Sequence, residues 1–325
     1  MNPRKAIVFG TGPLGLWVAQ TLLDRGDQVM LVNRRGRIRG SLSAPVHVIA
    51  CDATDAEAVY RACQGAEVAF HCAMPPYTAW PEEFPTLTQG ILGGVSRAGA
   101  RLIFGDNLYM YGDTGGATIT EDQPYAATGR KGKVRAEMAQ MLLDAHQRGD
   151  VQIAIGRGSD FFGPRVRNAI FGEMFFQAAF AGKPANLLGN IDMPHTYTYI
   201  RDFAAALVTL SERDEALGRA WHVPNAPTIT TRQMVDLFAR ELGRPIKVRT
   251  AGKTLITLLG LFNPFAKEIK EMMYEWEQPY IVDHSRFEAV FGTNATPHAR
   301  AAKETAAWYR QQFGRASDLR TSALQ

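Results

Sequence analysis

Three glycines near the N-terminus have the spacing of a phosphate-binding loop. Gly10, Gly12 and Gly15 lie in "AIVFGTGPLGLWVAQTLL", between an apolar segment typical of a strand and a segment with the apolar period of a helix. In such a loop the first glycine permits a tight turn, the second lets the backbone approach a pyrophosphate, and the third allows close packing of helix and strand. The helix N-terminus favours the anion. The pattern therefore predicts a dinucleotide site, with a plain glycine-rich turn as the alternative.

The end of the second predicted strand carries the residues that would select the cofactor. The segment "VMLVNRRGR" places Asn33 where an NAD site usually has a carboxylate, and Arg34 and Arg35 follow directly. A carboxylate would repel a 2′-phosphate, whereas a guanidinium can bind it with paired hydrogen bonds. We therefore predict NADP as the cofactor and NAD as the less favoured one. The alternative is a solvated basic loop.

Asp52 follows the third predicted strand, in "IACDATD". It is placed to accept a hydrogen bond from the adenine amino group. The alternative is a turn or N-cap aspartate, and Thr54 or Asp55 could cap that helix equally well. The cofactor-binding residues predicted in this half of the chain are Gly10, Thr11, Gly12, Pro13, Leu14, Gly15, Asn33, Arg34, Arg35, Asp52 and Ala73.

Short apolar runs alternate with helical patterns through the first half of the chain. The predicted strands are Ala6–Phe9, Val29–Val32, Val46–Ala50, Val68–Cys72, Leu102–Phe104 and Ile153–Ile155, and the predicted helices are Leu14–Asp24, Asp55–Cys63, 83–98 and 132–147. Apolar strands separated by helices indicate a parallel sheet that is covered on both faces.

We therefore predict an α/β fold, a Rossmann-like doubly wound parallel sheet with a smaller, mostly helical C-terminal substrate lobe. Residues 1–160 form the predicted dinucleotide-binding domain, to which a segment around 195–212 returns, and 161–325 form mainly the substrate-binding lobe. Short strands are expected around Trp221–Val223 and Ile246–Arg249 in the second half.

Composition limits the class of protein. The 325 residues are 46% hydrophobic and 21% charged, with a net charge of +4 and no basic block typical of a nucleic-acid arm. The three cysteines, Cys51, Cys63 and Cys72, have no metal-ligand spacing, so no metal is predicted. The N-terminus has no signal-peptide pattern, and the apolar stretch "LITLLGLF" is too short to span a bilayer. These features predict a cytoplasmic protein with a small-molecule substrate and with no nucleic-acid or membrane partner.

The chain resembles the extended short-chain dehydrogenase/reductase superfamily, the NAD(P)-dependent epimerases, dehydratases and reductases. Besides the glycine loop, the resemblance rests on Asp52 in "CDATD", on Tyr111-Gly112 after the fifth strand, and on the segments "RGSDFFGP" and "YTYIRDFAAAL". It implies that a Tyr-x-x-x-Lys pair does the proton chemistry. The lysine holds the nicotinamide ribose and lowers the pKa of the tyrosine, while a Ser or Thr polarises the substrate oxygen. It also implies a possible homodimer.

Two of these three catalytic groups are replaced in this sequence. Lys133 fits the lysine position and would be both catalytic and cofactor-binding, with a solvated helix lysine as the alternative. Gly129 stands four residues earlier, where the tyrosine is expected, and Asn107 occupies the Ser or Thr position. Positions four apart share one face of a helix, which is why the family's spacing works.

Three interpretations of this departure remain open. In the first, another side chain supplies the proton; Tyr125 is the leading candidate, and the other groups nearby are Tyr109, Tyr111, Asp106 and Lys131. In the second, Lys133 only anchors the ribose, and Asn107 or water polarises a carbonyl. In the third, the protein binds NADP without turnover. The predicted catalytic residues are Lys133, Asn107 and Tyr125.

The resulting functional expectation is an NADP-dependent oxidoreductase or epimerase/dehydratase-like enzyme for a small organic carbonyl or alcohol, without the usual tyrosine. The alternative is a non-catalytic NADP-binding regulatory or assembly protein. In the second lobe, His195 and Tyr197 could face substrate, although a structural role is commoner for such residues. Few cations argue against a nucleotide sugar, but three keep that option open, namely Arg165, Arg167 and Lys183.

Overall fold

The computed structural model describes residues 3–38, 40–292 and 295–322. The strands are β1 (Lys5–Phe9), β2 (Gln28–Asn33), β3 (His47–Ala50), β4 (Val68–His71), β5 (Arg101–Asp106), β6 (Ile153–Arg157), β7 (Asp160–Phe162), β8 (Ala185–Leu188), β9 (Pro194–His195), β10 (Tyr197–Tyr199), β11 (Ala220–His222), β12 (Ile229–Thr230) and β13 (Val248–Ala251). The α-helices are α1 (Pro13–Asp24), α2 (Ala56–Cys63), α3 (Trp80–Ala98), α4 (Arg130–Gln147), α5 (Glu173–Phe180), α6 (Ile200–Ser211), α7 (Thr231–Leu242), α8 (Lys253–Leu259), α9 (Pro264–Lys270), α10 (Tyr274–Glu277), α11 (Ser285–Phe291) and α12 (His298–Ser322).

The six strands of the first half of the chain form a seven-stranded sheet together with β11. Its order is β11-β6-β5-β4-β1-β2-β3, and every neighbouring pair is parallel. The six strands predicted for this half are all present, with ends that differ by at most two residues. The direction of winding reverses between β1 and β4, and ligands of such sheets bind beyond the carboxyl ends of the strands at this point.

Helices cover both faces of the sheet, as predicted. On one face α1 and α6 pack with β1 and β5 through residues such as Val18 and Leu207. On the other face α2, α3 and α4 pack on the same sheet through residues such as Ile91 and Met138. Because each of these side chains is fully buried, each contributes about 1.5–3 kcal/mol of hydrophobic stabilisation. The Rossmann-like architecture is confirmed.

The C-terminal half is smaller and mostly helical, also as predicted. A third core joins α5, α7 and α12 to two-stranded sheets, among them β8 with β13. The predicted strand at Trp221–Val223 occurs as β11, which extends the main sheet, and the other predicted strand occurs as β13. Short strands β7, β9 and β12 were not predicted, since two or three residues are too few for a strand pattern.

How the chain divides into domains stays a prediction. Helix α6 packs on α1, and β11 joins the main sheet. Segments beyond residue 160 therefore pack with elements of the predicted dinucleotide-binding domain. None of the helices in the described part of the chain combines the length and the apolar character that crossing a bilayer demands.

Candidate active site

The glycine loop between β1 and α1 has the shape that a pyrophosphate requires. Gly10 has a φ of +99°, and a Cβ there would lie 2.6 Å from the amide nitrogen of Ala73. A Cβ on Gly15 would overlap the carbonyl oxygen of Gly10, so this glycine lets α1 approach β1. A Cβ on Gly12, at the N-cap of α1, would meet nothing within 4 Å, and no side chain caps this helix. The first-turn amides are therefore placed to bind an anion.

A cavity of about 810 Å³ lies beyond the carboxyl ends of the sheet strands and reaches the glycine loop. Among the predicted cofactor residues, those that line it are Gly10, Thr11, Gly12, Pro13, Leu14, Asn33, Arg34, Asp52 and Ala73. Gly15, Arg35 and Lys133 do not line the cavity. Gly15 instead acts through helix–strand packing. The residues at this end fit a dinucleotide.

Asn33 braces the loop after β2. Its Nδ2 donates to Thr11 Oγ1 at 2.9 Å and to the Arg37 carbonyl oxygen at 2.8 Å, while its Oδ1 accepts from the Arg35 amide at 2.8 Å. These bonds tie the end of β2 to the glycine loop. Arg34 is exposed and borders the cavity, so one guanidinium rather than the predicted two is available there.

Asp52 lies at the cavity edge and belongs to a turn. Its Oδ1 accepts from the Thr54 amide at 3.1 Å and from the Thr54 hydroxyl at 2.8 Å. These hydrogen bonds lower the pKa of the Asp52 carboxyl. Asp55 caps α2 by accepting from the Glu57 amide at 2.9 Å. The Asp52 carboxylate therefore keeps its second oxygen for a ligand, and its adenine role stays a prediction.

The orientation of α4 differs from the expectation for Lys133. Lys133 is exposed and lies outside the cavity lining, so the structure does not support it as the ribose anchor or as a catalytic residue. The face of α4 that points into the protein carries Lys131 and Arg135 instead, which are also four residues apart. They lie seven and three residues, respectively, before Met138 on the apolar stripe, and this continuation was the sequence signal that could have identified them.

The space beside Gly129 is already filled. A Cβ at this position would overlap the carboxylate of Glu271, whose Oε1 accepts from the Lys131 amide at 2.8 Å. Glu271 thus satisfies one of the amides that the start of α4 leaves without a helical partner. A tyrosine at 129 could not be accommodated without displacing this carboxylate.

We expect Gly129→Ala to lower the free energy of unfolding by about 1–3 kcal/mol, because the added methyl group displaces Glu271 from the start of α4. Chemical denaturation measures this change. Gly252→Ala is the matched control: Gly252 is also an extended N-cap glycine, with φ −78° and ψ 173° against −77° and 162° at Gly129, and a Cβ there meets nothing within 4 Å. Equal effects of the two substitutions would contradict the role of Glu271.

Arg135 lines the cavity and is held by one carboxylate and two aromatic rings. Its Nη1 donates to Asp106 Oδ1 at 3.0 Å, and its guanidinium lies 4.3 Å from the ring centroid of Trp80 and 4.4 Å from that of Phe84. Asp106 also accepts from Arg157 Nε at 3.3 Å. One buried carboxylate therefore serves two buried guanidinium groups.

Tyr125 belongs to the network around Arg157 and does not line the cavity. Arg157 donates to the Tyr125 hydroxyl at 2.5 Å and to the Tyr111 hydroxyl at 2.6 Å. Tyr111 in turn contacts His222 Nε2 at 2.9 Å. The position of Tyr125 therefore does not support it as the replacement acid, because its hydroxyl accepts a hydrogen bond from the buried Arg157 guanidinium.

Asn107 does line the cavity, as predicted for the residue that polarises substrate. Its Oδ1 accepts from the Tyr109 amide at 3.2 Å, which leaves the NH₂ group as the part able to donate to a substrate oxygen. Its catalytic role stays a prediction.

Tyr109, one of the alternative proton donors named from the sequence, lines the cavity, and so do four acidic and phenolic groups that were not predicted as site residues: Tyr77, Asp160, Glu275 and Tyr280. Asp160 lies in the "RGSDFFGP" segment, which contributes to the family resemblance, but nothing in the sequence assigned its carboxylate to the site. Glu275 lies between the aromatic residues Tyr274 and Trp276, and neither pattern nor spacing connects it with Asp160.

These acidic groups come together where β7, β9 and α10 meet. Asp160 Oδ2 lies 2.8 Å from His195 Nε2, and the His195 ring is stacked on Trp276 with centroids 4.3 Å apart. Glu275 is 2% exposed. Burial raises the pKa of the Glu275 carboxyl well above its usual value, and the charge of Asp160 raises it further. His195 is therefore connected to the cavity through Asp160, which lines it. Tyr197 is buried, and its hydroxyl is hydrogen-bonded to the Thr231 hydroxyl.

A family model for the NAD dependent epimerase/dehydratase family matches residues 6–223. The chain belongs to this family. It is 26% identical over 239 residues to human sterol-4-alpha-carboxylate 3-dehydrogenase, decarboxylating, covering 68% of this chain and 62% of the human protein. It is 26% identical over 243 residues to Arabidopsis thaliana 3beta-hydroxysteroid-dehydrogenase/decarboxylase isoform 2, covering 68% of this chain and 43% of that protein. The chain thus spans less than two thirds of the length of either relative.

Solved structures share the fold of this epimerase/dehydratase family member. A UDP-N-acetylglucosamine 4-epimerase from Methanobrevibacter ruminantium superposes with a TM-score of 0.79 at 16% identity, covering 96% of this chain and 100% of that chain. A dTDP-glucose 4,6-dehydratase from Streptomyces venezuelae, solved with NAD, gives a TM-score of 0.79 at 17% identity, covering 95% and 98%. At this level of identity the similarity concerns the fold alone.

Proposed function

We propose that this family member is an NADP-dependent oxidoreductase or epimerase/dehydratase-like enzyme that acts on a small organic carbonyl or alcohol without the usual catalytic tyrosine. The observation that carries the proposal is the cavity, which joins the glycine loop and Arg34 at one end to buried acidic and phenolic groups at the other. A bound nicotinamide cofactor supplies or accepts the hydride. NADP rather than NAD, a cytoplasmic location and a homodimer are parts of the proposal that rest on the sequence.

The residues of the chain have separate roles in this proposal. The amides after Gly12 bind the pyrophosphate, and Asp52 accepts from the adenine amino group. The exposed Arg34 binds the 2′-phosphate as an ion pair. Asn107 donates its amide hydrogen to the substrate oxygen, which places the substrate at the end of the cavity near β5.

The charges of the cavity favour a substrate without a diphosphate. Among the described lining residues the cations are Arg34 and Arg135, and Arg135 is already bound to Asp106. The cations that had kept a nucleotide sugar possible, Arg165, Arg167 and Lys183, do not line the cavity. A diphosphate at the substrate end would therefore be buried without an unpaired cation, which is unfavourable.

The test is to titrate the purified protein with NADPH and NADH and then to assay NADPH oxidation with a panel of small ketones and aldehydes. NADPH binding together with turnover of at least one carbonyl is the expected result. Failure to bind either dinucleotide would overturn the proposal.

The second candidate function is a non-catalytic NADP-binding regulatory or assembly protein. The observation in its favour is the exposed position of Lys133 together with the glycine at 129, which leaves the family's proton-transfer pair absent. Tight NADPH binding without turnover of any carbonyl would favour this candidate.

Replacing Arg34 with alanine should weaken NADPH binding about 10-fold or more and leave NADH binding nearly unchanged, because only the 2′-phosphate needs a cation there. Fluorescence titration with both cofactors measures the change. Arg35→Ala is the matched control, since Arg35 is equally exposed but lies outside the cavity lining. If both cofactors bind Arg34→Ala as they bind the unmodified protein, Arg34 does not select the cofactor.

A further inference from the structure

Two carboxyl groups from distant parts of the chain line the cavity and interact electrostatically. Asp160 lies on β7, directly after the sheet strand β6, and Glu275 lies on α10. In the sheet β6 and β2 stand on opposite sides of β1, so this pair lies across the cleft from Arg34. The carboxyl pair, Asp160 and Glu275, therefore belongs to the substrate end of the cavity.

Glu275 presents a buried oxygen that nothing in the described part of the chain binds. Its Oε1 is buried and has no hydrogen-bond partner, although the residue lines the cavity and is only 2% exposed. The other side of the carboxyl group accepts a hydrogen bond from Tyr280. A buried polar atom without a partner is costly, so such an atom in a cavity wall is best explained by a ligand.

Asp160 connects this buried group to solvent. Its side chain is 25% exposed, whereas the His195 ring bonded to it at 2.8 Å is 3% exposed. The stacking of His195 on Trp276 fixes the ring, and the ring fixes the Asp160 carboxylate. His195 is therefore a positioning residue.

Two carboxylates close together in a buried site do not both ionise readily, because the second charge is repelled by the first. Burial and the Asp160 charge both raise the pKa of Glu275, so Glu275 is the member that keeps its proton. The pair can therefore hold one proton at a pH above the usual carboxyl range, which is the condition for general acid catalysis by a carboxyl group.

The other candidate proton donors among the described lining residues are less suited. Asp106 is held by two guanidinium groups, and Glu82 is paired with Arg130 at 2.6 Å. Burial raises the pKa of the Tyr77, Tyr109 and Tyr280 phenols above the usual value, so these groups keep their protons more tightly than a general acid should. Glu83 is exposed, and Asp52 lies at the cofactor end.

Resting on the proposed reduction of a small carbonyl, we propose that Asp160 and Glu275 share one proton and that Glu275 delivers it to the substrate oxygen. A bound reduced nicotinamide would supply a hydride to the carbonyl carbon, and the electron pair of the C=O π bond would move to oxygen. That oxygen takes the Glu275 proton and becomes a hydroxyl group. Glu275 is left as a carboxylate and regains its proton from solvent through Asp160.

The test compares Glu275→Gln and Asp160→Asn with the unmodified protein, using NADPH binding and steady-state NADPH oxidation on the carbonyl panel. Glu275→Gln should lower kcat by about 100-fold or more, because positioned acid catalysis contributes about 10²–10⁴-fold, and NADPH affinity should not change. Glu277→Gln is the matched control: Glu277 is on the same helix, exposed, and outside the cavity lining.

The pH dependence separates catalysis from structure. Since Glu275 acts when protonated, kcat falls as pH rises through its pKa. Removing the Asp160 charge lowers that pKa, so Asp160→Asn should move the fall to lower pH. The other titratable groups that face the pair, Tyr77, Tyr109, His195, Tyr197, Tyr274 and Tyr280, are unchanged in this variant.

The outcomes separate the acid role of Glu275 from the proposed function. A kcat for Glu275→Gln within about threefold of the unmodified protein would overturn the acid role. So would an unmoved pH profile for Asp160→Asn, which also serves if Glu275→Gln fails to fold. Either result in a protein whose unmodified form turns over a carbonyl would overturn the acid role alone, whereas NADPH binding without turnover, or no dinucleotide binding, in the unmodified protein would overturn the proposed enzymatic function and the acid role with it.

Discussion

Replacing Asp106 with asparagine is expected to lower the free energy of unfolding by about 3–5 kcal/mol, because it leaves two buried guanidinium groups without their counter-ion. The Asp106 side chain is fully buried and pairs with Arg135 at 3.0 Å and Arg157 at 3.3 Å. The two arginine side chains are 5% and 0% exposed, so solvent cannot replace the lost charge. An asparagine has the same shape, but it would direct a partly positive NH₂ group toward one guanidinium.

Chemical denaturation of the ligand-free protein, followed by circular dichroism, measures this loss. Asp214→Asn is the matched control, since it breaks an aspartate–arginine pair with Arg101 in which the aspartate side chain is 85% exposed. Exposed pairs contribute little, so the control should change stability hardly at all. A loss below about 1 kcal/mol for Asp106→Asn would show that the two arginines find other partners.

Gly12→Ala is expected to weaken NADPH binding about 10- to 100-fold, equivalent to about 1.4–2.8 kcal/mol, while the protein stays folded. The reason is that a Cβ at Gly12 meets no protein atom within 4 Å but enters the space that the pyrophosphate needs above the first turn of α1. Gly12 has an ordinary extended backbone, with φ −73° and ψ −178°, so alanine causes no strain.

Gly252→Ala also serves as the control here. It adds the same methyl group to an N-cap glycine of nearly the same conformation, at α8, outside the cavity. Both variants should melt like the unmodified protein, and only Gly12→Ala should lose affinity in calorimetric titration. Unchanged NADPH affinity in Gly12→Ala would mean that no pyrophosphate lies against this loop.

The cofactor end of the site could be predicted because its signals are local. Gly10, Gly12 and Gly15 act within one strand–turn–helix unit, and Arg34 and Asp52 follow strands whose apolar runs are unambiguous. In a parallel sheet the carboxyl ends of such strands meet at one edge, so their order along the chain was enough to bring these residues together.

Helix α4 shows where local pattern stops being sufficient. The family's spacing of four residues occurs twice in this helix, in Gly129 with Lys133 and in Lys131 with Arg135. Only packing on the sheet decided which pair turned inward. It selected the pair in line with Met138, because that rotation buries the apolar stripe and lets Asp106 and Glu268 neutralise the two cations.

By itself the amino-acid sequence determined the fold class, the family and the dinucleotide loop, since each follows from short motifs and from the local alternation of strand and helix patterns. Tertiary structure alone decided the other end of the cavity. Asp160, His195 and Glu275 stand far apart in the chain, and they meet only because the C-terminal half folds back across the ends of the strands. Charge interactions between such distant groups have no sequence period, so only the folded chain reveals them.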